Sequence, residues 1–189
     1  YRMVISAKMG EFFRIYLDGQ ITRNPASSVP AIQTDERFSL DSPDESNQVL
    51  LFGDNDGEDA AIDVAEFALY DRPLTHEEAV ALGGYGHAVV HDDAIVSMNF
   101  DDAAGLDAIG DGSFASVSAG ALAAAEGPAP ADGAATVSSE ISVTHGIVGR
   151  ALGSTAAKVN EYTLTFDILR QEGAGPISIL HPETGGAAV

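Results

Sequence analysis

The first hydrophobic signal is an alternation. YRMVIS, at residues 1–6, switches between apolar and polar positions with the period of a half-buried strand. FFRIYLDGQIT continues with a strand, an Asp18-Gly19 turn of the two-residue hairpin kind and a return strand. Residues 24–48 are rich in Pro, Ser and Asp and predict loop, with one short strand at RFSL. QVLLFG and IDVAEFALYD restore the strand pattern on either side of the turn GDNDGEDA. PLTHEEAVALGG then predicts a helix of about two turns. Thr75 caps it, Glu78 closes a capping box three residues on, and Gly83 stands where a left-handed C-terminal residue belongs. YGHAVVHDD predicts a linker or an edge strand, and AIVSMNFDD resumes the strand pattern.

Beyond residue 101 Ala, Gly and Ser dominate. SVSAGALAAAEGPAPADGAATVS carries Pro and Gly too often for a long helix and predicts loops with short strands. KVNEYTLTFDIL is a clean strand, and GPISILHPE supplies one more. Short strands, many turns and one small helix predict an all-β sandwich or jelly roll.

Charge narrows the partners. Nine basic residues against 29 acidic ones leave a net −20, which repels phosphate backbones and anionic lipid. The surplus of carboxylates suits Ca²⁺, and equally suits solubility. Cysteine is absent, which excludes a disulfide framework and thiolate chemistry. No run approaches the roughly 18 apolar residues of a membrane span. The chain opens inside a strand with no signal features, so we read it as a piece of a longer protein.

FFRIYLDGQI followed by LLFGDNDGEDAAIDVAEFALYDRPLTHEEAVALGG resembles the C-terminal half of a laminin G-like domain of the concanavalin A-type jelly-roll family. GIVGRALGSTAAKVNEYTLTFDILRQEGAGPISIL resembles the N-terminal half of the same kind of domain. The resemblance implies an all-β, concanavalin A-like jelly-roll sandwich with one short helix. It places a C-terminal half at 1–86, a linker at 87–91 and an N-terminal half at 92–189, in inverted order. Three arrangements stay open: a window on tandem repeats, one circularly permuted sandwich, or halves completed between chains.

Laminarinase-type glycosidases of this fold carry E-I-D-x-x-E on one strand, with a bulge that turns all three acids to one cleft. Here the matching positions are Ala61, Asp63 and Glu66. A retaining hydrolase needs two carboxyls roughly 5–5.5 Å apart, and a methyl group stands in the nucleophile's place. Rescue by Glu58 or Asp59 would require their loop to fold into the cleft. The sequence favours a structural role for Asp63 and Glu66.

Asp54, Asn55, Asp56, Glu58, Asp59 and Asp63 lie within eleven residues and offer oxygen ligands. The calcium candidates are the carboxylates Asp54, Asp56, Glu58, Asp59 and Asp63, with an acidic surface turn as the competing explanation. His76, His87, His91, His145 and His181 lack zinc-site spacing, and we expect them to be solvated. Serine and phosphate-loop motifs are absent, as is Trp. Phe12, Phe13, Tyr16, Phe38, Phe52, Phe67 and Tyr70 sit in strand patterns and are expected in the core, with Tyr1 and Tyr85 more exposed. The resemblance implies a secreted or cell-surface, non-catalytic binding or adhesion module for a glycan or an extracellular protein. Two alternatives stay open, a filament or swapped-assembly subunit and a glycoside hydrolase or accessory domain.

Overall fold

A computed structural model of the chain describes residues 1–8, 11–23, 40–41, 48–52, 61–87, 89, 91–100, 107–110, 117–119, 122–127, 133–137, 141–144, 158–159, 161–170, 172, 175 and 179–181. The N-terminal alternation becomes β1 (Arg2–Lys8), followed by β2 (Phe12–Leu17) and β3 (Gln20–Arg23) in an antiparallel meander. Asp18 (φ 48°) and Gly19 (φ 75°) make the turn between β2 and β3, the left-handed geometry that Asp-Gly tolerates. Leu40, the last residue of RFSL, opens β4 (Leu40–Asp41), the other three lying outside the described residues, and QVLLFG contributes β5 (Gln48–Leu51).

The long strand β6 (Ile62–Tyr70) holds the first structural decision. Its main-core residues Ile62, Val64, Phe67 and Leu69 have a spacing that pure alternation cannot keep on one face. A bulge solves this: Val64 pairs Ile168 and Glu66 pairs Asp167, leaving Ala65 as the extra residue. Ile62, Val64, Phe67 and Leu69 consequently share the main core. Asp63 and Glu66 fall on the opposite face.

Helix α1 (His76–Ala81) carries the complete capping box, with Thr75 accepting from the Glu78 amide and Glu78 accepting from the Thr75 amide. Gly83 ends it at φ 70°. Then come β7 (Val96–Asn99), β8 (Asp107–Gly110), β9 (Val117–Ala119), β10 (Leu122–Glu126), β11 (Gly133–Val137) and β12 (Ile141–Thr144). KVNEYTLTFDIL divides into β13 (Lys158–Val159) and β14 (Glu161–Arg170), and β15 (Leu180–His181) follows.

All strand pairs are antiparallel, and the described helix is short. The large sheet runs β10-β11-β6-β14-β1-β2-β3, with β7 on the remaining length of β6 and β8 beyond it. A four-stranded sheet orders β15-β5-β12-β9, and β13 pairs β4. Apolar residues of the large sheet pack with Leu40 and Val159 of the pair β13-β4 and with Leu51, Phe52 and Ile179 beside the four-stranded sheet. Phe166 of β14 sits centrally, edge-on to Phe52 and stacked on Phe67, each with ring centres 5.5 Å away. Strands from both sides of residues 87–91 thus interleave in one sheet. No helix of the described residues is long and apolar enough to cross a membrane.

Candidate functional site

The face of the large sheet turned away from the main core carries the chemistry. Strand alternation on β1, β6 and β14, with the Ala65 bulge, brings Arg2, Glu66 and Asp167 into one row across three neighbouring strands. Arg2 and Asp167 are directly paired, as are Asp167 and Glu66. The Arg2 side chain is only 2% exposed. Its Nε donates to Asp167 Oδ1 at 2.6 Å and its Nη2 to Asp167 Oδ2 at 2.7 Å, a two-point grip on one carboxylate. Nη2 also reaches Glu66 Oε2 at 3.2 Å, and Nη1 donates to the Leu82 carbonyl at 2.7 Å. Burial pushes the Asp167 carboxyl up, and the Arg2 guanidinium opposes that push.

Glu66 has a second neighbour. His91 Nε2 lies 2.8 Å from Glu66 Oε1, off the N–H direction that a hydrogen bond needs. The other ring nitrogen, Nδ1, meets the Tyr70 hydroxyl. The His91 side chain is 2% exposed and that of Glu66 22%. The expectation of solvated histidines fails at His91, because the turn at 91–94 folds back over the sheet and closes on Tyr70. Burial holds the Tyr70 phenol well above its usual range, with the charges of Asp93 and Glu66 adding to it. An activated phenolate nucleophile is therefore disfavoured there.

Further hydrogen-bonded clusters fasten residues 71–87 and 91–95 over this face. Ser6 Oγ donates to the Leu74 carbonyl at 3.0 Å, and Thr163 Oγ1 accepts from the Leu74 amide at 2.8 Å. Arg72 pairs with Glu78 and Asp93. At the other end, Asp18 Oδ1 accepts from the amides of Arg2 (2.8 Å) and Tyr85 (3.0 Å), joining the hairpin to the turn after α1. A Cβ on Gly84 would stand 3.2 Å from the Asp18 Cβ. Gly84, lacking a Cβ, therefore permits this close approach.

Burial alone would raise the Asp18 carboxyl; the Arg2 and Tyr85 amides outweigh it and hold it below 3.8. A folded value below the unfolded one adds stability that is present above 3.8 and lost as pH falls through the folded value. Asp18→Asn is expected to lower Tm by roughly 2–4 °C near neutral pH, equivalent to about 1 kcal/mol in a chain of this size. That gap should close in melts run at falling pH. A gap that persists in strong acid would show that the charge is not what holds the clamp.

Of the calcium candidates, Asp63 alone is described. Its Oδ1 accepts from Thr136 Oγ1 at 2.6 Å. Asp54, Asp56, Glu58 and Asp59 lie outside the described residues, as do Asn55, Phe38 and His145. Among the described residues no three His, Asp or Glu side chains are grouped to hold a metal. Phe13, Tyr16, Phe52, Phe67 and Tyr70 are buried as expected, whereas Phe12 is half-buried with the Arg14 guanidinium 4.0 Å over its ring. Tyr1 is exposed and Tyr85 half-buried.

The alternation pointed to Asp63 and Glu66 and missed their surroundings. Asp167 did leave a trace: it is a charge in the middle of β14, flanked by apolar and hydroxyl-bearing residues, and buried charges come in pairs. Comparison with known proteins adds no identity: no family model, no curated protein and no solved structure matches this chain.

Proposed function

We propose that the chain is a non-catalytic, extracellular binding or adhesion module of laminin G-like, jelly-roll kind, taking a glycan or a protein ligand. The observation that carries the non-catalytic half of this reading is the state of Glu66. Arg2 engages one of its oxygens and His91 crowds the other. Asp63 is bonded to Thr136, and Ala61 offers no nucleophile. A retaining pair needs one carboxyl free to attack and one free to protonate, and a row bridged by a guanidinium suits the holding of strands better. The ligand class rests on the family resemblance and on a charge of −20 that disfavours polyanions.

Affinity electrophoresis in gels containing neutral β-1,3-glucan, with a reducing-end assay on the same polysaccharide, tests this. Retarded migration without release of reducing ends is the expected result. Release that disappears in Glu66→Gln would establish the hydrolase alternative instead. Unretarded migration would discard this glucan and leave a protein ligand as the form to test by pull-down. Calcium stabilisation belongs to the same proposal and rests on the acidic turn. Melts in EDTA and in excess Ca²⁺ should differ if it holds, because a ligand that binds only the folded state raises Tm.

A further inference from the structure

Several basic side chains of the described residues are matched with acids. Arg2 has Asp167 and Glu66, Arg72 has Glu78 and Asp93, and Lys8 has Glu11. Arg14 differs. It is half-buried, its guanidinium lies 4.0 Å over the Phe12 ring, and its Nε is buried with no hydrogen-bond acceptor. No carboxylate of the described residues forms an ion pair with it. In a chain of 29 acids and nine bases, carboxylates are in excess, and a buried charged donor left unmatched costs free energy.

The neighbours of Arg14 come from two elements. β2 turns Arg14 and Tyr16 to the same face, opposite Ser6 and Val4 of β1. The segment that enters α1 crosses this face: Ser6 Oγ donates to the Leu74 carbonyl, and the Tyr16 hydroxyl meets His76 Nδ1 at 3.2 Å. Tyr16 is fully buried and His76 is exposed, so Tyr16 acts from beneath as a positioning residue and His76 reaches the surface. Burial raises the Tyr16 phenol above its usual value. The Arg14 guanidinium beside it pulls the other way, and the Glu77 carboxylate adds to the rise.

Two exposed apolar side chains flank the same place. Ile21 pairs Tyr16 across β2 and β3 and is 38% exposed, and Val80, one helical turn beyond His76, is 40% exposed. The turn between those strands abuts the helix, since a Cβ on Gly19 would stand 3.4 Å from the Val80 carbonyl oxygen. Tyr16 is buried and the Arg14 guanidinium takes a face of Phe12, which leaves little for a sugar to stack on. An unmatched cation beside exposed apolar groups suits a peptide. We infer that Arg14 and His76 form a binding site for the carboxylate of a protein segment, an Asp or Glu whose apolar neighbours settle on Ile21 and Val80.

The net −20 is compatible with this. At physiological salt, exposed charges more than about 8 Å apart are largely screened, whereas a carboxylate in contact with a guanidinium feels chiefly that pair. A polyanion would meet the whole acidic surface. The inference narrows the protein-ligand form of the proposed function and rests on it. Glucan retardation should be the same in Arg14→Gln and in the native chain, so the two readings fail separately.

The probe is the capped peptide acetyl-Ala-Leu-Glu-Leu-Ala-amide, with its Gln counterpart as the uncharged control, titrated into the isotope-labelled chain. NMR follows the Arg14 Nε–H signal and the His76 ring. A saturable shift with the Glu peptide, absent with the Gln peptide and weakened by added salt, is the expected result. Arg14→Gln should weaken binding roughly tenfold or more, as the loss of a charged hydrogen bond does. Arg14→Lys should also weaken it, because an ammonium lacks the fork that holds both carboxylate oxygens. Glu77→Gln, at an exposed position, should tighten binding by removing a competing carboxylate.

No shift with either peptide, or equal shifts with both, overturns the inference, as does binding that survives Arg14→Gln in a chain with the native melt. Saturation by sodium glucuronate with none by the peptide would assign the site to an acidic sugar and overturn the protein form. Should Arg14→Gln lose the native melt, Glu77→Gln decides: an affinity for the Glu peptide equal to that of the native chain overturns the inference.

Discussion

Asp167→Ala is expected to lower the free energy of unfolding by about 3–5 kcal/mol, because it strands a buried guanidinium whose two-point partner is gone. Glu66 holds Arg2 by one longer contact and recovers only part of the loss. Urea unfolding should show a lower midpoint at an unchanged slope. The companion variant separates charge from contact: Arg2→Met combined with Asp167→Leu removes both ions and should regain most of the stability, since a buried pair exchanged for apolar groups is often close to neutral. Should Asp167→Ala cost less than about 1 kcal/mol, in the range of an exposed pair, the row would not be holding the strands together.

The second large effect lies on the other face of the same strand. Phe166→Ala removes a ring packed between Phe52 and Phe67 in the middle of the core, and a loss of about 3–5 kcal/mol is expected. Phe67→Ala should cost a similar amount. The two losses should fall short of adding, because the stacked pair contributes about 0.5–1.5 kcal/mol that either change removes. Strict additivity in urea unfolding would mean that the two rings act independently. β14 is thus held from both sides, by a charge row on one face and aromatic packing on the other. It is where a single substitution should unsettle the whole sheet.

Much of this was legible in the chain. The Asp18-Gly19 turn, the Thr75–Glu78 capping box and Gly83 each depend on residues within four positions of one another, and each appears where the sequence places it. The shift of apolar spacing at 62, 64, 67 and 69 marks the bulge, and with it the shared face of Asp63 and Glu66. The partners of Glu66 were not legible, because they stand at 2, 91 and 167. His91 shows the difference well: as a letter in a polar stretch it looks solvated, and only the fold-back of the turn at 91–94 buries it. KVNEYTLTFDIL shows it again, reading as one strand while its first part pairs β4 and the rest fills the slot between β1 and β6.

The sequence by itself determined an all-β chain with one capped helix, an acidic surface and a strand face bearing two carboxylates. These follow from side-chain periodicity, backbone preference and charge, all of which act between near neighbours or by simple sum. Tertiary structure alone decided that β14 stands between β1 and β6, that Arg2, Glu66 and Asp167 form one row, and that Gly84 lies against Asp18. The physical reason is that an alternating strand states which side must be buried and leaves its neighbours unspecified. Those are chosen by burial and ion pairing summed over residues far apart along the chain.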